Sequence, residues 1–122
     1  MAKRIDPAPW PWLDRPRVLL ENPDRDAALM AVDVLRHAGY TVAVCPGPDD
    51  AADCPVACGD GCSLVEGADI VVTSLGLDRE PGREVLAGLR SRYPGRRLVV
   101  EPRPGDLSTE QLLDAVRGAI LQ

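Results

Sequence analysis

The sequence contains no phenylalanine, and its only aromatic residues are two tryptophans and two tyrosines. A hydrophobic core built from it must therefore be aliphatic, made of valine, leucine, isoleucine and alanine. Hydrophobic residues still make up 45% of the 122 residues, a share typical of a globular chain and not of a disordered one. This length predicts one small domain with a single core.

Long apolar runs are absent as well. No stretch approaches the roughly 20 residues needed to span a bilayer, and the first residues show no hydrophobic segment of signal-peptide type. We therefore expect no membrane partner and a cytoplasmic location, where thiols stay reduced and structural disulfides are rare. Lys3 is the only lysine, whereas arginine, alanine, glycine and proline are abundant, which is typical of a GC-rich bacterial genome.

The charge balance is acidic, since 19 aspartates and glutamates outnumber 14 lysines and arginines and give a net charge of −5. An acidic chain repels phosphate backbones, so we expect no nucleic-acid partner. The most basic stretch surrounds the end of a predicted helix, where solvated cations are favoured: Arg90, Arg92, Arg96 and Arg97.

The sequence lacks the groups that catalysis usually combines. It has a single histidine, His37, no nucleophile–base pair and no glycine-rich phosphate loop. We therefore expect that the protein is not an enzyme.

Residues 1–16 carry four prolines and both tryptophans, without a helical or strand period. The prolines exclude a regular helix or a central strand. We interpret this segment as an N-terminal arm that either packs on the domain through Trp10 and Trp12 or binds a partner. Packing on the domain is favoured, because two free tryptophans would leave an exposed apolar patch.

From residue 17 to residue 122, short apolar runs alternate with helical periods. The runs RVLLE, YTVAVC, ADIVVTS and RLVVE predict four strands. A helix is predicted after each strand except the second. The first of these helices is predicted to be capped by Asn22 and the last by Ser108 or Thr109. This alternation predicts an α/β three-layer sandwich with a four-stranded parallel sheet in the order 2-1-3-4.

Right-handed crossovers place the carboxyl ends of the strands along one edge of the sheet, where ligands bind in such folds. The residues at these ends are Glu21, Cys45, Ser74 and Glu101. The segment 46–67, which we call the cysteine loop, leaves from the same edge.

Three segments resemble the response-regulator receiver (CheY-like) domain family. RVLLENPDRDAALMAVDVLRHAGYTVAV is similar to its first strand, first helix and second strand. ADIVVTSLGLDREPGREVLAGLRSRYPG is similar to its third strand and third helix, and LVVEPRPGDLSTEQLLDAVRGAI to its final strand and helix. The resemblance implies a flavodoxin-like fold that is one strand–helix unit short, and a regulatory role.

The resemblance also implies that the phosphoryl chemistry of receivers is missing. Ser74 stands where receivers have the phosphorylated aspartate, Glu21 and Asn22 where they have the Mg²⁺-binding acidic pair, and Glu101 where they have a lysine. A serine hydroxyl cannot act as the same acyl-phosphate acceptor, and a carboxylate beside an amide suits Mg²⁺ poorly. We therefore expect a degenerate pseudo-receiver that takes up neither phosphate nor Mg²⁺.

The cysteine loop replaces the second helix of receivers, and its prolines and glycines predict a loop with about one helical turn. We expect its thiols to converge near the end of the second strand. The four cysteines concerned are Cys45, Cys54, Cys58 and Cys62. They could bind zinc or an iron–sulfur cluster, form a redox pair or disulfide, or be incidental, although neighbouring aspartates oppose low thiol pKa values.

Two functional hypotheses result. The first is a non-phosphorylatable, receiver-like regulatory or interaction module that binds another protein or forms a homodimer. The alternative is a small metal-binding or thiol-redox-responsive protein that uses the four cysteines.

Overall fold

The computed structural model describes residues 15–78 and 80–121. Its four strands form one parallel sheet in the order β2-β1-β3-β4, which confirms the predicted order. The strands are β1 (Arg17–Glu21), β2 (Thr41–Cys45), β3 (Ile70–Thr73) and β4 (Arg97–Val100).

Helices cover both faces of the sheet, so the predicted α/β three-layer sandwich is also confirmed. The helices are α1 (Arg25–His37), α2 (Ser63–Gly67), α3 (Gly82–Arg92) and α4 (Thr109–Ile120), with a 3-10 turn at Ala51–Asp53. In the part of the chain that the structure describes, no helix has both the length and the apolar content to cross a bilayer.

The core lies in two halves, one on each side of the sheet. Alternate residues of β1 and β3 point to opposite faces, which explains why these central strands read as continuous apolar runs. Val18, Leu20 and Val72 pack against α1 and α4, whereas Leu19 and Val71 pack against α2 and α3. Both central strands are therefore buried on both faces.

The start of α1 differs from the sequence prediction. Its N-cap is Asp24, whose carboxylate accepts from the backbone N–H of Ala27 (3.1 Å). The predicted cap, Asn22, lies two residues earlier, and its side-chain oxygen accepts from the N–H of Asp24 (2.8 Å). The prediction was wrong because Asn22 forms an Asx turn that leads into the cap and does not itself begin the helix.

The start of α4 is as predicted. The Ser108 hydroxyl accepts from the N–H of Gln111 (3.1 Å), and the Gln111 side chain accepts from the N–H of Ser108 (2.9 Å). This reciprocal capping box fixes α4 where the turn after β4 ends.

Candidate functional site

The backbone ladders bring the four strand-end positions of the sheet together. The N–H of Ser74 donates to the carbonyl of Glu21 (2.7 Å), and the N–H of Glu101 donates to the carbonyl of Thr73 (2.9 Å). The N–H of Asn22 donates in turn to the carbonyl of Cys45 (3.0 Å). The positions singled out in the sequence therefore share one edge of the sheet, and Glu21, Asn22, Ser74 and Glu101 are all buried.

The two glutamates of this edge nevertheless lie on opposite faces of the sheet. Glu21 has the strand parity of Leu19 and so points to the side of α2 and α3. Glu101 follows β4 with the parity of Val99, on the side of α4, where its Oε2 accepts from the N–H of Leu107 (2.7 Å). They therefore do not form a carboxylate pair that could share one cation.

The carboxyl group of Glu21 is buried beneath the cysteine loop, with 5% of the residue exposed. Burial raises the pKa of Glu21 to about 7, although a hydrogen bond from Thr73 works in the opposite direction. Within the described residues, its Oε1 atom has no hydrogen-bond partner. Near neutral pH this carboxyl therefore exchanges between a neutral form and a poorly solvated charged form.

A cavity of about 360 Å³ lies on the other face, between α1 and α4. Asn22, Ser74 and Glu101 form its polar part, and Met30 and Leu112 are among its apolar residues. The polar part offers a hydroxyl, an amide and a carboxylate, and neither an aspartate nor a lysine lines it. This set can accept hydrogen bonds, but it offers no cation to neutralise a phosphoryl group.

The cysteine loop packs on the sheet through a residue that the sequence did not single out. Val56, in the middle of CPVACGDGC, is 1% exposed and belongs to the core half beneath α2 and α3. At the place where the loop crosses α3, a Cβ on Gly88 would overlap the carbonyl oxygen of Val56. The cysteine loop therefore forms part of the layer on this face of the sheet, in place of a long helix.

A second contact joins this loop to the end of α3. The Tyr93 hydroxyl accepts from the N–H of Cys62 (2.8 Å) and donates to Oε2 of Glu66 (2.8 Å). Sequence reasoning missed Tyr93, although its rarity in a chain with only two tyrosines was a usable signal.

Three of the four cysteines pack against one half of the core, and the fourth, Cys58, does not. Cys45, Cys54 and Cys62 pack against the same core half. Cys58 is exposed, and its Sγ donates to the carbonyl of Ala51 (3.5 Å). Within residues 15–78 and 80–121, no group of three or more histidine, cysteine, aspartate or glutamate side chains could hold a metal ion.

Burial controls the chemistry of the inner thiols. It raises the pKa of Cys45 to about 11 and also raises the pKa of Cys54, with nearby Glu21 adding to both effects. Because the thiolate is the nucleophile and the metal ligand, these two cysteines behave as small hydrophobic side chains.

We expect Cys58 to react first with a thiol reagent such as dithionitrobenzoate. The pKa of Cys45, about 11 against an ordinary 9.0, leaves it roughly a hundredfold less thiolate than an ordinary thiol has. Reaction of the native protein should show a fast phase that Cys58→Ser removes and Cys54→Ser leaves in place. Equal reactivity of Cys45, Cys54 and Cys58 in the folded protein would contradict this assignment.

Comparison with known proteins agrees with this geometry at the level of the fold. A solved structure, the signal receiver domain of an HD domain-containing protein from Pseudomonas fluorescens Pf-5, superposes with a TM-score of 0.60 and 19% sequence identity. The match covers 88% of this chain and 95% of that chain. No family model and no curated protein matches the sequence. The chain therefore has a receiver-like α/β fold.

Proposed function

We propose that the protein is a non-phosphorylatable, receiver-like regulatory module that acts by binding another protein. The observation that carries this proposal is the set of buried residues at the strand ends, where two glutamates occupy opposite faces around Asn22 and Ser74. The scaffold is that of a receiver, and the groups that would perform phosphoryl transfer are not there.

Ser74, at the position of the phosphorylated residue, supports the proposal that the protein is not phosphorylated. Accepting phosphate from a small donor in the receiver manner requires a carboxylate, and Ser74 offers a hydroxyl that ionises far above neutral pH. Ser74 is also 2% exposed, and no histidine lies at this edge to act as its base. At neutral pH this hydroxyl is therefore not ionised and is a poor nucleophile.

The charges around Ser74 oppose phosphate as well. Mg²⁺ in such sites is held by carboxylates together with phosphate oxygens. Here Asn22 contributes an amide whose oxygen already accepts from the N–H of Asp24, and the carboxyl group of Glu21 lies on the other face. Glu101 lines the cavity where a positive charge would be needed. A bound phosphoryl group would meet repulsion and no counter-charge.

Binding to another protein is a route by which such a scaffold can act without phosphoryl transfer. The chain carries a net charge of −5, and its sequence shows no catalytic constellation. The solved structure to which the chain is similar is titled a signal receiver domain, which fits a regulatory role for this chain.

The test is intact-mass measurement after incubation with acetyl phosphate or phosphoramidate and Mg²⁺, beside an active receiver as positive control. We expect no mass increase of one phosphoryl group, and none for Ser74→Asp, because the metal pair and the lysine are still missing. Stoichiometric phosphorylation that Ser74→Ala abolishes would overturn the proposal.

The alternative, a metal- or redox-responsive protein, receives less support, because Cys58 is exposed and burial raises the pKa values of Cys45 and Cys54. Elemental analysis of anaerobically purified protein, together with a free-thiol count, distinguishes the two. One zinc per chain, or iron with acid-labile sulfide, would support the metal-binding alternative and contradict the interaction-module proposal.

A further inference from the structure

A groove of about 640 Å³ runs between α3 and β4, and we call it the α3–β4 groove. Val71 and Leu89 form its buried base, and Leu98 and Val100 of β4 line it while only partly buried. β4 is the edge strand of the sheet, so no further strand of the described chain lies beyond it.

The rim of the α3–β4 groove is basic and includes an aromatic ring. Arg90 and Arg96 lie on it beside Tyr93. The guanidinium of Arg96 donates to the carbonyl of Ala68 (2.7 Å) and lies over the Tyr93 ring, 5.7 Å from its centre. A flat, fixed guanidinium above an apolar base fits indole rings, which gain both apolar burial and a cation–π contact.

We propose that residues 1–14 of the same chain occupy the α3–β4 groove, with Trp10 and Trp12 on its apolar base. These residues lie outside the described part of the chain, and they hold both of its tryptophans. Their prolines favour an extended form that does not need to complete a hydrogen-bond ladder. The inference does not rest on the proposed function, because none of the four strand-end residues Glu21, Asn22, Ser74 and Glu101 lines the α3–β4 groove.

The groove lies within reach of a chain that leads back from the start of β1. The first residues of β1 and β4, Arg17 and Arg97, lie at the same end of the sheet, and only β3 separates the two strands. Two strand spacings amount to about 10 Å. An extended chain advances roughly 3.1 Å per residue, so the five steps from Arg17 back to Trp12 span about 15 Å, enough to cross β3.

Charge and tethering favour this arm over a second copy of the chain. Within residues 1–14, Lys3 and Arg4 balance Asp6 and Asp14, whereas each whole chain carries a net charge of −5 and repels another copy. A stable dimer also needs about 800 Å² from each partner, more than one groove provides. A tethered arm, by contrast, acts at an effective concentration in the millimolar range.

Tryptophan fluorescence of the full-length protein tests the proposal, since Trp10 and Trp12 are its only tryptophans. We expect emission at shorter wavelength than that of free tryptophan, and weak quenching by acrylamide. Leu98→Lys in the groove should move both properties toward those of free tryptophan. Arg90→Glu, on the exposed rim, should do so in part. Val44→Lys, on the opposite edge strand and exposed, is the matched control and should leave both unchanged.

Every other outcome overturns the proposal. Emission like that of free tryptophan in the unmodified protein would show that the arm is solvated. A blue shift that appears only as a dimer forms, measured by light scattering, would identify a second copy as the occupant. Blue-shifted emission that neither groove variant changes would place the arm elsewhere. Circular dichroism confirms that each variant is folded, and Arg90→Glu decides the matter if Leu98→Lys unfolds.

Discussion

Replacing Gly88 by alanine is expected to lower the free energy of unfolding by about 3 kcal/mol, the upper end of the usual cost of overpacking. The added Cβ would overlap the carbonyl oxygen of Val56 and lie 2.7 Å from its carbonyl carbon. Both atoms belong to the backbone of the cysteine loop, so no side chain can rotate away to relieve the overlap. Urea unfolding measures the change.

Gly118→Ala is the matched control, because Gly118 is exposed in α4 and a Cβ there would meet nothing within 4 Å. This variant should be more stable than the unmodified protein by up to about 1 kcal/mol, the difference in helix propensity between the two residues. A Gly88→Ala variant as stable as Gly118→Ala would mean that the cysteine loop does not rest on α3.

Replacing Glu21 by glutamine is expected to flatten the dependence of stability on pH. The folded protein keeps a proton on Glu21 up to a pKa of about 7, whereas the unfolded chain releases it near the ordinary value of 4.5. Since the folded state binds more protons between these values, stability falls as pH rises from about 4.5 to about 7. Above that range the buried charge costs about 3 kcal/mol.

Unfolding free energies at about pH 5 and about pH 8 measure this effect, and the loss between them should shrink in Glu21→Gln. Taking the difference between the two pH values cancels any constant effect of the amide. Asp114→Asn removes an exposed carboxylate of α4 and should keep the pH dependence of the unmodified protein. An identical loss in Glu21→Gln would show that the Glu21 carboxyl is not buried in its charged form.

The sequence determined the order of the sheet because each strand is a short apolar run and crossovers in such sheets are right-handed. It also placed Ser74 and Glu101 at the same edge as Glu21. That Glu21 and Glu101 lie on opposite faces of the sheet follows from the alternation of side chains along a strand, since Glu21 shares the face of Leu19 and Glu101 shares the face of Val99. It emerges only once it is known which helices cover which face.

The cysteine loop was less predictable, for a physical reason. Its position depends on Val56 packing against Gly88, two residues that are 32 positions apart and individually unremarkable. The cysteines drew attention through their chemistry, but burial makes Cys45 and Cys54 part of an apolar layer. Similarly, the cap of α1 shifted from Asn22 to Asp24 because two side chains with capping ability lie next to the same proline.

The most direct test of the account is a titration of isotope-labelled protein with Mg²⁺ and then with beryllofluoride, a phosphoryl analogue, followed by the amide NMR signals of Asn22, Ser74 and Glu101. The account predicts no saturable shift of these signals at either step, because Glu21 and Asn22 provide no acidic pair, Ser74 provides no carboxylate and Glu101 provides no counter-charge. Saturable shifts that begin with Mg²⁺ and grow with beryllofluoride would contradict it, since they would show a working receiver pocket.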